Sequence, residues 1–402
     1  MCNYFLGLHL AKRSPKTLWR KKLLLILTLG ANLAVLLWFK DWGGSAGLPL
    51  GISFYTFQIL SYQIDVYRGE VSREYSFLKF ATYVIMFPKL ISGPITRYGD
   101  ISDSLTERTF TVRGLEDGMK LFILGLAAKV LLADRVGILW HEVQVTGFES
   151  ISTPLAWLAA IAYSMEIYFD FWGYSLMAMG LGRMMGIELP ANFRRPYMAR
   201  SVRDFYRRWH MTLGQWFCRY VYIPLGGSRQ GELRTIFNLL VVWMLTGIWH
   251  GAGWNFLFWG LWFAFFLILE KLFLGDILES VPKVFGRIYT LAVVLISWVF
   301  FALESPGEIL AYLQAMFGMN GIGPVNSLAM FLCNEYLVLL VIALVACLPL
   351  GSRLVHALKS SKTGPAMALY RLGEKVIPAV LLLLSVAYIV DASYNPFLYF
   401  RF

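Results

Sequence analysis

The chain has 402 residues, of which 58% are apolar and 15% charged, and its mean hydropathy is +0.59. Soluble domains contain about 45–50% apolar and about 25% charged residues. This composition therefore excludes a set of soluble domains and indicates a multi-pass protein of the lipid bilayer. Basic loops at the membrane surface explain the net charge of +11. Without a zinc-finger or RNA-binding motif in the sequence, no nucleic-acid partner is expected.

Ten apolar segments approach the roughly 20 residues that a membrane-crossing helix needs. They are residues 23–39, 48–66, 77–93, 118–134, 153–182, 235–249, 252–270, 286–303, 329–349 and 374–392. Several are too short or too polar for simple spans, which predicts re-entrant or tilted helices beside a water-filled interior. We therefore expect one all-α membrane domain over residues 1–402.

Two clusters of basic residues bear on topology. The first comprises Lys12, Arg13, Lys16, Arg20, Lys21 and Lys22, and the second comprises Arg353, His356, Lys359, Lys362, Arg371 and Lys375. The positive-inside rule places both clusters, and hence the N-terminus, in the cytoplasm. The first residues lack the pattern of a cleavable signal peptide. The four cysteines are scattered, so neither a disulfide framework nor a zinc site is expected.

A basic segment around residues 194–208 precedes the longest uncharged run. As a helix from about Ser201, it would place Arg200, Arg203, Arg207 and His210 on one face and an aromatic stripe on another. Pro224 and the Gly226-Gly227 pair would then end this helix. Guanidinium groups bind phosphates in bidentate fashion, so this face could hold the phosphates of coenzyme A or phosphopantetheine. The alternative is a positive-inside anchor with a surface histidine.

Residues 235–269 contain no Asp, Glu, Lys or Arg, yet His250 stands in their middle. Gly251-Ala252-Gly253 is a natural break, which predicts that His250 lies at a helix end inside the protein. An ionisable residue within a membrane segment is a functional-site hypothesis. A neutral imidazole can take a proton from a hydroxyl and return it, as acyl transfer requires. The alternative is a core histidine that caps the helix. The spacing of the two histidines does not predict a metal site.

Glu166 and Asp170 share one face of a helix within an otherwise apolar segment. They could relay protons, bind a cation in a transporter, or hydrogen-bond to arginines and helix ends across the interior. Structural pairing is the preferred interpretation. The sequence has no G-x-S-x-G, Walker or dinucleotide motif.

Six motifs in chain order carry a resemblance to a known family. They are PLGISFYTFQILSYQIDVYRGE, FPKLISGPITRY, the tract from IYFDFWGYS through RRWHMTLGQWF to YIPLGG, TGIWHGAGWNFLFWGLW, ISWVFF and the terminal YNPFLYFRF. Together they resemble the membrane-bound O-acyltransferase family, in particular its bacterial alginate and peptidoglycan O-acetyltransferase branch.

The resemblance implies about 9–11 transmembrane or re-entrant helices around a central funnel or tunnel. It further implies an acyl-thioester donor in the cytoplasm, with acetyl-CoA as substrate and no bound cofactor. The family's membrane histidine matches His250 in GIWHG, and its second histidine matches His210 in RRWH. Both are therefore expected to be catalytic.

The remaining site residues are expected to support these histidines. Arg203, Arg207 and Arg208 would bind the donor, with Asp170 as a further supporting residue. The indole N–H groups of Trp249 and Trp254, or the Asn255 amide, could stabilise the oxyanion.

The resemblance also implies a setting for the protein. It would lie in the bacterial inner membrane and work with a periplasmic or extracellular acetyltransferase and a polysaccharide acceptor. Family members commonly carry about two more spans before NYFLGL, so the resemblance implies either a shortened member or a misassigned start. Tyr206, Gln215, Glu166, Trp172 and Leu176 depart from the branch's usual residues, which bears on the acceptor. The alternatives are D-alanyl transfer from a carrier protein to teichoic acid, a transporter using Glu166 and Asp170, and a scaffold for another acetyltransferase.

Overall fold

The computed structural model describes residues 1–10, 18–42, 49–323, 326–361 and 364–391. All regular elements within these ranges are helical, which confirms the all-α prediction. The basic residues Lys12, Arg13, Lys16 and Lys362 and the terminal motif YNPFLYFRF lie outside the described residues.

The first half of the chain culminates in one long central helix. Its helices are α1 Cys2–Leu10, α2 Leu18–Leu37, α3 Ile52–Arg68, α4 Phe77–Ile85, α5 Tyr98–Thr106, α6 Val112–Ala127, α7 Asp134–Thr146 and α8 Thr153–Met184. A π-helical segment, Ala128–Ala133, joins α6 to α7. The apolar segment 77–93 is not one continuous helix, because α4 ends at Ile85 and a 3-10 turn containing Pro88 follows.

The second half carries most of the membrane-spanning helices. Its helices are α9 Val202–Tyr206, α10 Met211–Phe217, α11 Glu232–His250, α12 Trp254–Leu269, α13 Gly275–Ser280, α14 Lys283–Ala302, α15 Pro306–Met316, α16 Ser327–Cys347, α17 Leu350–Ser360 and α18 Gly364–Asp391. After the π-helical segment Cys218–Tyr222, Gly226 and Gly227 take positive φ, as expected for a chain break there.

Six helical stretches in the described ranges are long and apolar enough to cross a membrane. They are Leu18–Lys40, Glu232–His250, Trp254–Ser280, Lys283–Ala302, Ser327–Cys347 and Gly364–Asp391. The chain is therefore a multi-pass membrane protein. The 32-residue α8 is buried along most of its length, because α6, α7, α14, α15 and α16 all pack against it.

Paired glycines allow α6 and α8 to pack backbone against backbone. A Cβ atom on Gly125 would lie 2.4 Å from the Gly173 carbonyl oxygen, and one on Gly180 would lie 2.5 Å from the Gly118 carbonyl oxygen. Within each helix the two glycines, Gly118 and Gly125 in α6 and Gly173 and Gly180 in α8, are seven residues apart. They therefore lie on one face of the helix. Small residues at such interfaces are typical of membrane helices, whose association depends on close packing. This contact fixes α8 as the scaffold on which the site is built.

Candidate active site

One cavity of about 380 Å³ brings together residues that the sequence places far apart. Its walls come from the segment around α9 and α10 and from helices α11 and α12. Its lining includes Arg203, Tyr206, Arg207, Trp209, His210, Met211, Leu213, Gly214, Gln215, Phe217, Cys218, Tyr222, Leu239, Val242, Trp243, Thr246, His250, Trp259 and Leu267. The two predicted catalytic histidines therefore face the same space.

His250 is the last residue of α11, and α12 begins at Trp254, as the glycine-rich break predicted. Its side chain is 5% exposed and its imidazole ring is surrounded by aromatic rings. The ring centroids of Trp249, Trp259 and Phe301 lie 4.9, 4.9 and 5.2 Å from its own, all at close to right angles. This edge-to-face packing holds the ring in one orientation.

Glycines set the close approach of α11 to α12 beside His250. A Cβ atom on Gly247 would lie 2.4 Å from the Phe256 carbonyl oxygen, and one on Gly260 would lie 2.4 Å from the Trp243 carbonyl oxygen. Because both contacts are to backbone, neither could be relieved by a rotamer change. The two helices form a tight hairpin that places His250 next to Trp259.

His210 lies between two short helices of the basic segment and lines the cavity. The prediction of one helix from Ser201 is wrong, because α9 ends at Tyr206 and α10 begins at Met211. Between them His210 takes a left-handed conformation, with φ 44° and ψ 52°. Such a backbone is uncommon for residues other than glycine and is often found at functional sites. The side chain is 3% exposed, so the alternative of a surface histidine is also wrong.

Asn192 contacts the Nδ1 atom of the His210 ring and orients it. Its Oδ1 atom lies 3.3 Å from His210 Nδ1 and also accepts hydrogen bonds from the Thr212 hydroxyl, at 2.7 Å, and the Thr212 N–H, at 3.3 Å. Its backbone carbonyl accepts the Met211 N–H at 2.9 Å. An acceptor at Nδ1 assigns the proton to that nitrogen. His210 Nε2 has no hydrogen-bond partner among the described residues and is left as the basic nitrogen.

The surroundings of His210 keep it uncharged. Its ring packs against Phe171 with centroids 4.7 Å apart and stacks near Phe54 at 6.3 Å. Burial among these rings lowers the pKa of His210 from 6.5 to about 3. The imidazole is therefore neutral at physiological pH and able to accept a proton.

Trp249 lies against both histidines. Its ring centroid is 5.8 Å from that of His210 and 4.9 Å from that of His250. The Lys40 side-chain nitrogen donates to the Trp249 carbonyl at the end of α11 and lies over the Trp249 ring. Trp249 therefore connects the two histidines, although it is not among the residues that line the cavity.

The predicted donor-binding arginines divide into two groups. Arg203 and Arg207 line the cavity and are exposed, so their guanidinium groups lie where the cavity meets solvent. Arg208 does not line it and instead pairs with Asp204 at 2.8 Å. The Glu270 carboxylate accepts the N–H groups of Val202 and Arg203, which anchors the start of α9. This anchoring positions Arg203.

The predicted oxyanion donors do not line the cavity. Trp254 is 70% exposed and projects away from the buried site. Asn255 is buried, but it lies outside the lining together with Trp249. Sequence reasoning instead missed Trp259, which lines the cavity beside His250.

Asp170 and Glu166 lie apart from the cavity. Asp170 is buried and pairs with Lys129 at 2.7 Å, and Lys129 pairs with Asp134 at the same distance. The Glu166 carboxylate packs against Gly137, where a Cβ atom would lie 2.6 Å from it. The preferred interpretation of Asp170 as a structural partner is consistent with this geometry, although the partner is a lysine. Within the described ranges, no group of three or more His, Cys, Asp or Glu side chains is arranged to hold a metal ion.

Comparison with known proteins supplies the family. The model of the membrane-bound O-acyltransferase (MBOAT) family matches residues 14–306. The chain is 35% identical to the probable alginate O-acetylase AlgI of Pseudomonas putida, over 100% of this chain and 88% of that protein. It is 34% identical to the peptidoglycan O-acetyltransferase of Helicobacter pylori, over 80% of this chain and 69% of that protein.

A more distant similarity concerns a second acyl group. The chain is 28% identical to the teichoic acid D-alanyltransferase of Streptococcus thermophilus, over 56% of this chain and 57% of that protein. This match is both weaker and shorter than the two O-acetylase matches.

Proposed function

The chain belongs to the membrane-bound O-acyltransferase family and is an O-acyltransferase, and we propose that it takes acetyl groups from acetyl-CoA for O-acetylation of a cell-envelope or extracellular polysaccharide. The acetyl group reaches the polysaccharide directly or through a partner acetyltransferase outside the membrane. The names of the O-acetylase relatives support the acetyl group and this class of acceptor.

The observation that carries this proposal is the composition of the cavity. Two histidines that are 40 positions apart in the sequence line its buried part, while Arg203 and Arg207 line its exposed part. Exposed cations suit the phosphates of coenzyme A, and a buried neutral imidazole suits proton transfer at a thioester. Apolar walls between them suit the pantetheine arm.

Acyl transfer in this cavity has a simple proton balance. A hydroxyl oxygen attacks the thioester carbonyl carbon while the His250 imidazole takes the hydroxyl proton. The tetrahedral intermediate then collapses, the carbon–sulfur bond breaks, and the proton passes from the imidazole to the departing thiolate. The products are an acetyl ester and free coenzyme A. His210, held by Asn192, either shares this proton or orients the attacking hydroxyl through Nε2.

The orientation of the cavity follows from charge. The positive-inside rule favours placing the exposed arginines at the cytoplasmic face of the bacterial inner membrane, where acetyl-CoA is available. The acceptor, or the partner that carries the acetyl group onward, would then approach from the periplasmic side. The same rule places the N-terminus in the cytoplasm.

Three rival functions receive less support. D-alanyl transfer from a carrier protein has only the weaker, shorter similarity in its favour. A transporter that used Glu166 and Asp170 would have to break the buried contact between Asp170 and Lys129. A scaffold for another acetyltransferase would leave the buried histidines of the cavity without a role.

The test is donor turnover by the purified protein in nanodiscs. When a polysaccharide is supplied whose hydroxyl groups can accept the radiolabelled acetyl group, we expect the wild type to release coenzyme A from acetyl-CoA. We expect His250→Ala to reduce kcat at least 1,000-fold, on the order of the loss on removing an essential catalytic base. Expression level and thermal midpoint serve as folding controls. Normal turnover by a folded His250→Ala variant would remove His250 from the mechanism. Turnover of a D-alanyl carrier thioester but not acetyl-CoA would favour the teichoic acid alternative.

A further inference from the structure

Trp259 has a buried hydrogen-bond donor that no described residue accepts. Its side chain is 2% exposed, yet its indole Nε1–H has no hydrogen-bond partner in the part of the chain that the structure describes. Buried donors are nearly always paired, because an unpaired one costs about 1–3 kcal/mol. Since Trp259 also lines the cavity, a bound molecule there could supply the missing acceptor.

The indole is both close to the reacting centre and rigid. Its centroid lies 4.9 Å from that of His250, with the rings at 79°. On its other sides it packs against Phe263, at 5.3 Å, and Phe301, at 5.5 Å. The close α11–α12 hairpin fixes the backbone beneath it. A donor held in this way needs little reorganisation when charge develops nearby.

We propose that the Trp259 Nε1–H is a catalytic hydrogen-bond donor that stabilises the oxyanion formed when the thioester carbonyl is attacked. The inference rests on the proposed acyl transfer and deepens it by naming the group that receives the developing charge. As the hydroxyl oxygen bonds to the carbonyl carbon, the electron pair of the C=O bond moves to oxygen. That oxygen accepts the indole N–H, and the charge returns when the thiolate leaves.

The other buried donors fit this role less well. Trp249 Nε1 and Asn255 Nδ2 also have no partner among the described residues, but neither residue lines the cavity. Trp254 is too exposed to act in a water-excluded site. Trp259 alone among these four combines burial, an unpaired donor and a place in the cavity wall.

The decisive variant is Trp259→Phe, which keeps an aromatic ring and removes the N–H. Loss of one oxyanion donor typically lowers kcat by about 10²–10³-fold. We expect a fall of that size in coenzyme A release, with KM for acetyl-CoA changed less than about twofold, because the bond forms only in the transition state. A merely structural role would instead change KM and the thermal midpoint together.

Trp262→Phe is the matched control on the same helix. The Trp262 indole donates to the Val293 carbonyl at 3.0 Å and does not line the cavity, so this variant is expected to keep kcat within about twofold. If Trp259→Phe does not fold, benzothienylalanine at position 259 keeps the shape of the indole and replaces N–H by sulfur.

The outcomes separate this inference from the proposed function. An active wild type with an equally active Trp259→Phe or benzothienylalanine variant would overturn the role of Trp259 and leave acyl transfer intact. A folded wild type that released no coenzyme A from acetyl-CoA, either in nanodiscs with a polysaccharide acceptor or in its native membranes, would overturn the proposed function, and the inference with it. A selective loss of kcat in the Trp259 variants alone would support both.

Discussion

At the scale of single residues, the choice of basic nitrogen in His210 depends on Asn192. The amide oxygen accepts a hydrogen bond from the Nδ1–H group, and the Thr212 side chain and backbone hold that oxygen in place. Nε2 is therefore the nitrogen that can act as a base. The same logic positions the histidine of a serine-hydrolase triad, where a carboxylate performs the task. Here the neutral amide orients the ring without adding charge.

Replacing Asn192 tests this positioning role. We expect Asn192→Ala to lower kcat about 10- to 100-fold, on the order of the loss caused by misplacing a catalytic group by about 1 Å. Asn192→Asp would place a carboxylate behind the imidazole and raise the pKa of His210 from about 3. Acetyl transfer by this variant should then fall as pH decreases through the raised pKa, where the wild type, with neutral His210, keeps its rate.

The pH–rate profile of kcat/KM in nanodiscs measures this shift. The rings that pack against His210 are those of Phe54, Phe171 and Trp249, which do not titrate. The other charged or titratable groups of the cavity include Arg203, Arg207 and His250. Ser175→Ala, which removes the hydroxyl that accepts the Asn192 Nδ2–H group, is the control and should leave the profile in place. An unmoved acid limb in Asn192→Asp would mean that His210 has only a structural role.

Sequence reasoning found some of these residues and missed others for a physical reason. His250 stood out because an ionisable group in a charge-free run is costly. Asn192 and Trp259 carry no such signal, since a polar residue in a loop and a tryptophan in an apolar helix are both ordinary. Their importance follows only from what the fold brings next to each histidine.

At the scale of helices, the α11–α12 hairpin sets the distance between His250 and Trp259. Substituting Gly247 or Gly260 by Ala would put a Cβ atom 2.4 Å from a backbone oxygen of the facing helix. The helices must then separate, which we expect to cost about 1–3 kcal/mol of stability and at least tenfold in kcat. Thermal midpoint and coenzyme A release measure the two effects.

Gly30 in α2 provides the matched control for these substitutions. A Cβ atom there would meet nothing within 4 Å, so Gly30→Ala should leave kcat unchanged and stabilise the helix slightly. Equal tolerance of Ala at Gly30, Gly247 and Gly260 would contradict the requirement for a tight hairpin.

Helix breaks were predictable only where glycine or proline marks them. The break at residues 251–253 and the turn at Gly226–Gly227 were read correctly from these residues. The break before His210 was not, because no glycine or proline interrupts Tyr206–Met211. There the buried contacts of Asn192 and the aromatic rings impose a left-handed backbone that local sequence preference opposes.

At the scale of the whole molecule, composition and motif order were sufficient for the class and the family. Apolar segments predicted a multi-pass helical protein, and the six helical stretches able to cross a membrane in the described part of the chain agree with that. The number of re-entrant helices could not be counted from hydropathy, because α8 is covered by protein on most sides and short helices such as α4 interrupt apolar runs. A helix buried inside protein and a helix exposed to lipid both consist mainly of apolar residues, so hydropathy does not distinguish them.

The central claim is that one cavity binds the donor phosphates at its exposed arginines and the thioester beside its buried histidines. The measurement that tests it most directly compares kcat/KM for acetyl-CoA with that for acetyl-pantetheine, which lacks the nucleotide and its phosphates. The comparison is made in the wild type, in the double variant Arg203→Gln/Arg207→Gln, and in Arg200→Gln, a neighbouring exposed arginine outside the cavity lining.

We expect the double variant to lose at least tenfold in kcat/KM for acetyl-CoA, since hydrogen bonds between charged groups contribute about 1.5–3 kcal/mol each. Its activity on acetyl-pantetheine should be unchanged, and Arg200→Gln should resemble the wild type with both donors. A double variant that keeps the wild-type preference for acetyl-CoA would contradict the assignment of this cavity to the donor.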